Sequence, residues 1–139
     1  MRREEILARM GDERERVEQA LNKMAPKAPE YRLAILTCQR ALQGCPGATC
    51  LWAFQEKQYH FEQYRDGELP VRLCAFFPCN GCDADYESGP KLLKKIERLV
   101  LERVDKVHLG NCMKNKCKNI DKICELLTRY GLEYELGTH

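Results

Sequence analysis

An α/β fold is predicted: an open, mostly parallel four-stranded sheet flanked by helices (Rossmann-like), preceded by an N-terminal helical arm. Three observations predict it. Short apolar runs alternate with helical patterns from residue 31 onward, the order that builds βαβ units and a parallel sheet. The runs near 31–37, 71–77 and 104–109 are apolar enough for burial on both faces, as strands covered by helices on two sides require. The 139 residues suffice for one domain with a real core.

The elements follow in order. Residues 3–24 read as helix, with Ile6, Leu7, Met10, Val17, Leu21 and Met24 at helical spacing. Gly11-Asp12 is a break point, where Asp12 with Glu15 reads as a capping box opening a second helix. Pro26 and Pro29 end this arm, assigned to residues 1–28. Its apolar stripe is a packing or dimerisation face, open to a homo-oligomer or a protein partner. Tyr31–Thr37 is the first strand. Residues 49–64 read as one helix carrying Leu51, Trp52, Phe54, Tyr59 and Phe61. Val71–Phe77 is the second strand. Ser88 is the N-cap and Pro90 the first turn of a helix with Leu92, Leu93, Ile96, Leu99 and Val100 on one face. Val104–Leu109 is the third strand. Residues 119–130 form a helix burying Ile120, Ile123, Leu126 and Leu127, stopped by Gly131. Leu132–Leu136 is the fourth strand.

Composition excludes several function classes. Formal net charge is +2, from 23 basic and 21 acidic side chains, which leaves no electrostatic footprint for nucleic acid. No apolar run approaches the ~20 residues of a membrane span. The charged start MRREEILARM lacks the apolar core of a signal peptide, so a cytoplasmic location is expected.

Cysteine is the anomaly. There are nine, an odd number in a chain with long helical patterns. In a reducing compartment such clustering points to metal binding or redox chemistry rather than to a disulfide scaffold. The first strand ends at Cys38, and the second at Cys79, with Cys82 just beyond. The third runs through His108 to Cys112, and the fourth ends at His139. Cysteine and histidine together are 12 of 139 residues, so one at every strand end is unexpected by chance. In a parallel sheet those ends share one edge, where open α/β sheets bind their ligands. Cys45 and Cys50 in the first loop and Cys117 in the third add sulfur to that edge. Lys114, Lys116 and Lys118 flank the third loop and would offset thiolate charge, although a solvated loop explains them equally well. Cys79 and Cys82 form a CxxC pair, a spacing shared by zinc sites, iron–sulfur sites and redox dithiols. Cys74, within a strand, and Cys124, on a helix's apolar face, are read as buried packing residues. His60 is read as surface or packing. For His108, a ligand and a satisfied buried imidazole stay equally open. His139 offers an imidazole or its terminal carboxylate, or frays.

The segments TCQRALQGCPGATCLWAF, FFPCNGC, DKVHLGNC and the terminal ELGTH resemble the CGGC domain of prokaryotes, from about residue 31 to 139. That family is named for its central CxxC, and metal binding, often of zinc, is ascribed to it without an assigned reaction. The resemblance marks Cys38, Cys45, Cys50, Cys79, Cys82, His108, Cys112 and His139, with Cys117 added, as the metal-binding set. The chain departs at the motif itself, where Asn80 stands for the first glycine. Zinc or an iron–sulfur cluster is the expected cofactor. The alternatives are a thiol–disulfide enzyme using Cys79 and Cys82, or a structural, partner-binding domain stapled by metal. No substrate, general base or phosphate loop is legible.

Overall fold

β1 (Tyr31–Thr37) is the spine of the molecule, and its alternation explains the layers on either side. The computed structural model describes residues 3–81 and 90–139. Leu33 and Ile35 pack on one face with Cys50, Ala53 and Phe61. Ala34 and Leu36 pack on the other, into the main core. Parallel strands lie on both sides: β2 (Val71–Pro78) on one, then β3 (Lys106–Leu109) and β4 (Glu133–Leu136) on the other, in the order β2-β1-β3-β4. The predicted parallel α/β sheet is therefore the observed one. The chain winds outward from β1 to β2, then recrosses to β3 and β4. The direction of winding thus reverses between β1 and β3, the switch point at which open α/β sheets place their ligands.

Helices cover both faces. α1 (Arg3–Ala8), α2 (Arg14–Met24), α4 (Pro90–Leu101) and α6 (Ile120–Arg129) enclose the main core, through Ile6, Leu21, Ile96 and Leu127 among others. α3 (Ala48–Glu56) and a 3-10 segment at Tyr59–Tyr64 cover the other face. A short α5 (Asn111–Lys114) follows β3.

Several expectations shift. The arm breaks where glycine suggested, but a 3-10 turn at Gly11–Glu13 intervenes and no side chain caps α2, so Asp12 and Glu15 form no capping box. The arm's stripe is a packing face: Ile6, Leu7, Val17 and Leu21 are buried in the main core beside α4. The helix expected over 49–64 stops at Glu56. Lys57 and Tyr59 adopt positive φ (53° and 52°), and amides of Lys57 and Gln58 close the helix onto Phe54 and Ala53 carbonyls. The redirected chain buries Phe61 and leaves Trp52 and Tyr59 outside. The Ser88 cap lies outside the described residues.

Cys74 is less buried than expected because it is the extra residue of a β-bulge: Leu33 pairs with Leu73 but Ala34 with Ala75. Cys124 is buried on α6 as read. Cys74→Ala and Cys124→Ala are expected to leave any bound metal in place while lowering stability by on the order of 1 kcal/mol, the Cys124 change more. Denaturant midpoints and metal per chain check this, and a folded variant that loses its metal would contradict it.

Candidate metal centre

The ends of β1, β2 and β3 deliver three sulfurs to one place. The ladder continues past the strands, through Cys79 N–H to the Thr37 carbonyl (2.9 Å) and Gly110 N–H to the Leu36 carbonyl (2.8 Å). The segments carrying Cys38, Cys79 and Cys112 therefore stay side by side. Cys38, Cys79, Cys112 and Cys117 line a single cavity of about 400 Å³, with Arg40, Ala41, Met113 and Lys116. It sits at the carboxyl edge, across the switch point between β1 and β3.

The sulfurs differ in setting. Cys79 is 3% exposed. The Cys112 sulfur accepts a hydrogen bond from the Cys38 amide at 3.3 Å. Burial pushes the Cys112 thiol up, the Cys38 amide pulls it down, and the charges of Cys38 and Cys50 raise it further. It is therefore neutral at pH 7 until something displaces its proton. Among the described residues, no three His, Cys, Asp or Glu side chains stand close enough to hold one ion as placed. None of the eight described cysteines is in a disulfide. Cys82 lies outside the described residues.

The CxxC turn carries its asparagine in a left-handed conformation, φ 74° at Asn80 followed by 107° at Gly81. Asparagine is among the few residues that adopt this readily, so the departure from the motif keeps the turn. It also adds a contact: Lys95 of α4 donates to the Asn80 side-chain oxygen (2.6 Å) and to the Pro78 carbonyl (3.2 Å). Burial lowers the pKa of this ammonium and the nearby Cys79 raises it. Lys95 thus ties α4 to the turn and sets a positive charge near Cys79.

The other described sequence candidates do not line the cavity. Cys45 is exposed, and its sulfur accepts from the Gly47 amide at 3.4 Å. Cys50 is buried in α3 against the opposite face, 3.3 Å from the Thr138 hydroxyl. Burial raises its thiol, and that hydroxyl lowers it. His108 is fully buried and both ring nitrogens are engaged: Nδ1 donates to the Gly137 carbonyl (3.0 Å) and Nε2 accepts from the Tyr64 hydroxyl (2.7 Å). Burial depresses its pKa. Of the two readings left open for His108, this geometry is that of a satisfied buried imidazole. The His139 carbonyl accepts from the Asn111 side chain, next to Cys112, and its imidazole is exposed. Lys114 and Lys118 do not line the cavity, and Lys116 does.

The terminal residues are not frayed. Thr138 is buried, its amide donating to the Asn111 side chain at 3.0 Å. Gly137 has φ 125°, and a Cβ there would meet the His60 ring at 2.3 Å. His60 in turn bonds Glu135 through Nδ1 at 2.9 Å. Burial raises the Glu135 carboxyl, but hydrogen bonds from Gln63, His60 and Lys106 and the charge of His108 outweigh it and hold it at about 2. The tail therefore clamps the loop that carries Cys112. Arg40, Lys95 and this clamp were not legible in the sequence, because each acts across contacts between segments that carry no local spacing.

Stability is expected to fall with acid in two stages. His108 is folded in its neutral form, so its contribution is complete above its ordinary pKa of 6.5 and is lost as pH falls below it. Glu135 is held at about 2 against an ordinary 4.5, so its contribution is complete above 4.5 and is lost between there and 2. Urea midpoints from pH 3 to 8 in chelator should show both. His108→Gln should flatten the upper stage, and an unchanged slope would show that His108 does not produce it.

Residues 32–139 match the family model described as CGGC domain. A relative from Methanocaldococcus jannaschii, described as an uncharacterized protein, is 33% identical over 119 residues, covering 78% of this chain and 86% of the relative. No solved structure matches the chain significantly. The match begins one residue into β1 and runs through the terminal clamp, spanning every segment that lines the cavity, and on that ground the chain belongs to the CGGC domain family.

Proposed function

We propose that the chain is a metal-binding protein, holding a metal centre in the cavity through Cys38, Cys79, Cys112 and Cys117. By its spacing, Cys82 joins Cys79 on the same centre. The supporting observation is convergence: four cysteines from segments following three different strands line one cavity. Such a donor set suits zinc, which favours four-coordinate sulfur sites, and equally an iron–sulfur cluster. A mononuclear zinc would act as a staple for the loops, whereas a cluster would supply one-electron transfer. The breadth of the cavity favours the cluster as the second reading. Arg40 and Lys116 at the cavity offset the negative charge that either thiolate centre carries. Cys45, Cys50, His108 and His139 act in this reading as supports for the fold around the site. A reducing compartment such as the cytoplasm suits a cluster of cysteines that bind metal as thiolates.

Because the Cys112 thiol is neutral at pH 7, loading the site releases protons, and metal affinity should rise with pH through the neutral range. Purification without oxygen, followed by measurement of metal and acid-labile sulfide per chain, tests the proposal. Stoichiometric zinc in colourless protein supports zinc, and iron with sulfide in brown protein supports a cluster. Metal-free protein with a reversible Cys79–Cys82 disulfide would replace the metal reading with the redox one.

A further inference from the structure

Cys38 and Cys112 are closer than a shared cavity requires. Extending the β1–β3 register past Leu36 and Leu109 sets Cys38 opposite Asn111, one residue short of Cys112. Strand spacing of about 4.8 Å falls within the Cα separation that a disulfide spans. The Cys112 sulfur lies 3.3 Å from the Cys38 amide nitrogen. A cysteine's own sulfur sits on the order of 3–4 Å from that nitrogen by standard bond lengths, so the two sulfurs lie within roughly 7 Å of each other, a gap that side-chain rotation can close. Gly110 keeps it clear: a Cβ there would come within 3.1 Å of the Cys112 sulfur.

We infer that Cys38 and Cys112 form a reversible disulfide when the site is empty and a peroxide is present, a modification that withdraws two sulfurs from the centre. One thiolate attacks hydrogen peroxide, the O–O bond breaks and hydroxide leaves, giving a sulfenic acid. The second thiol displaces the sulfenic oxygen, the S–S bond forms, and its proton departs with that oxygen as water. Two thiols and one peroxide thus become one disulfide and two waters. The effect on metal rests on the function proposed above, whereas the disulfide itself does not.

The experiment uses the full chain, reduced and stripped with chelator, then treated with hydrogen peroxide, alkylated and digested with trypsin. A dithiothreitol-reversible link between peptides 33–40 and 107–114 is expected as the main product. It should vanish in Cys38→Ser and in Cys112→Ser and persist in Cys124→Ala. A main link from Cys38 to Cys79, a Cys79–Cys82 disulfide, or sulfinic acid at either cysteine without a link would overturn it. Zinc uptake before and after peroxide separates the two ideas. If the link forms in a protein whose reduced form takes up no zinc or iron, the disulfide stands and the metal reading falls.

Discussion

Cys79→Ser is expected to strip the protein of most of its metal while leaving the sheet intact. Cys79 is the most enclosed of the four cavity cysteines, its amide is fixed to Thr37, and Lys95 braces the turn that follows. A buried, positioned thiolate has no substitute in serine, whose hydroxyl stays protonated. Loss of a mere supporting partner of a metal ligand costs about 10–100-fold in affinity, so loss of a ligand should cost at least about as much. Cys112→Ser and Cys82→Ser should behave alike. Metal per chain, measured on folded protein at sub-micromolar free metal, decides this. Near-full occupancy in Cys79→Ser and Cys82→Ser together would refute the assignment, even with the fold correct.

The second large effect belongs to the arm. Leu7→Ala and Leu21→Ala are each expected to destabilise the protein by about 2–5 kcal/mol, the range for truncating a buried leucine. Both side chains are buried, and both belong to the core cluster that includes Ile96 and Leu99 of α4. The Arg9–Glu97 ion pair joins the turn after α1 to α4 as well, but it lies at the surface and adds little. Against a typical total of about 5–15 kcal/mol, either change removes a large share. A fall in melting temperature of at least about 6 °C should follow. A shift within 2 °C would mean that the arm packs elsewhere in solution, for example on a second copy.

α4 brings the Lys95 side chain to the CxxC turn, so loss of the arm is expected to reach the site indirectly. The prolines at 26 and 29 divide the arm from the alternating strands and helices in sequence, while in the fold its buried residues share a core with α4.

Alternating apolar and amphipathic segments were enough to read a parallel sheet with cysteines along its carboxyl edge, because strand and helix periods are local and parallel crossovers send every strand end to the same side. Left-handed tolerance at Asn80 was also readable from residue type. Strand order was not, and it is strand order that sets β1 between β2 and β3 and so makes Cys38 the neighbour of both Cys79 and Cys112. Nor could spacing separate Cys117, which lines the cavity, from Cys50, which faces the opposite layer. The one follows a short helix that no periodicity announced, and the other sits on a helix whose rotation is set by packing against Leu33 and Ile35. His108 shows the same limit: its neutral state comes from burial, and its ring nitrogens are met by Tyr64 and Gly137, 44 and 29 residues away along the chain. Local patterns record which way a side chain leaves the backbone. What it meets there depends on segments distant in sequence, and only the packed tertiary structure brings those together.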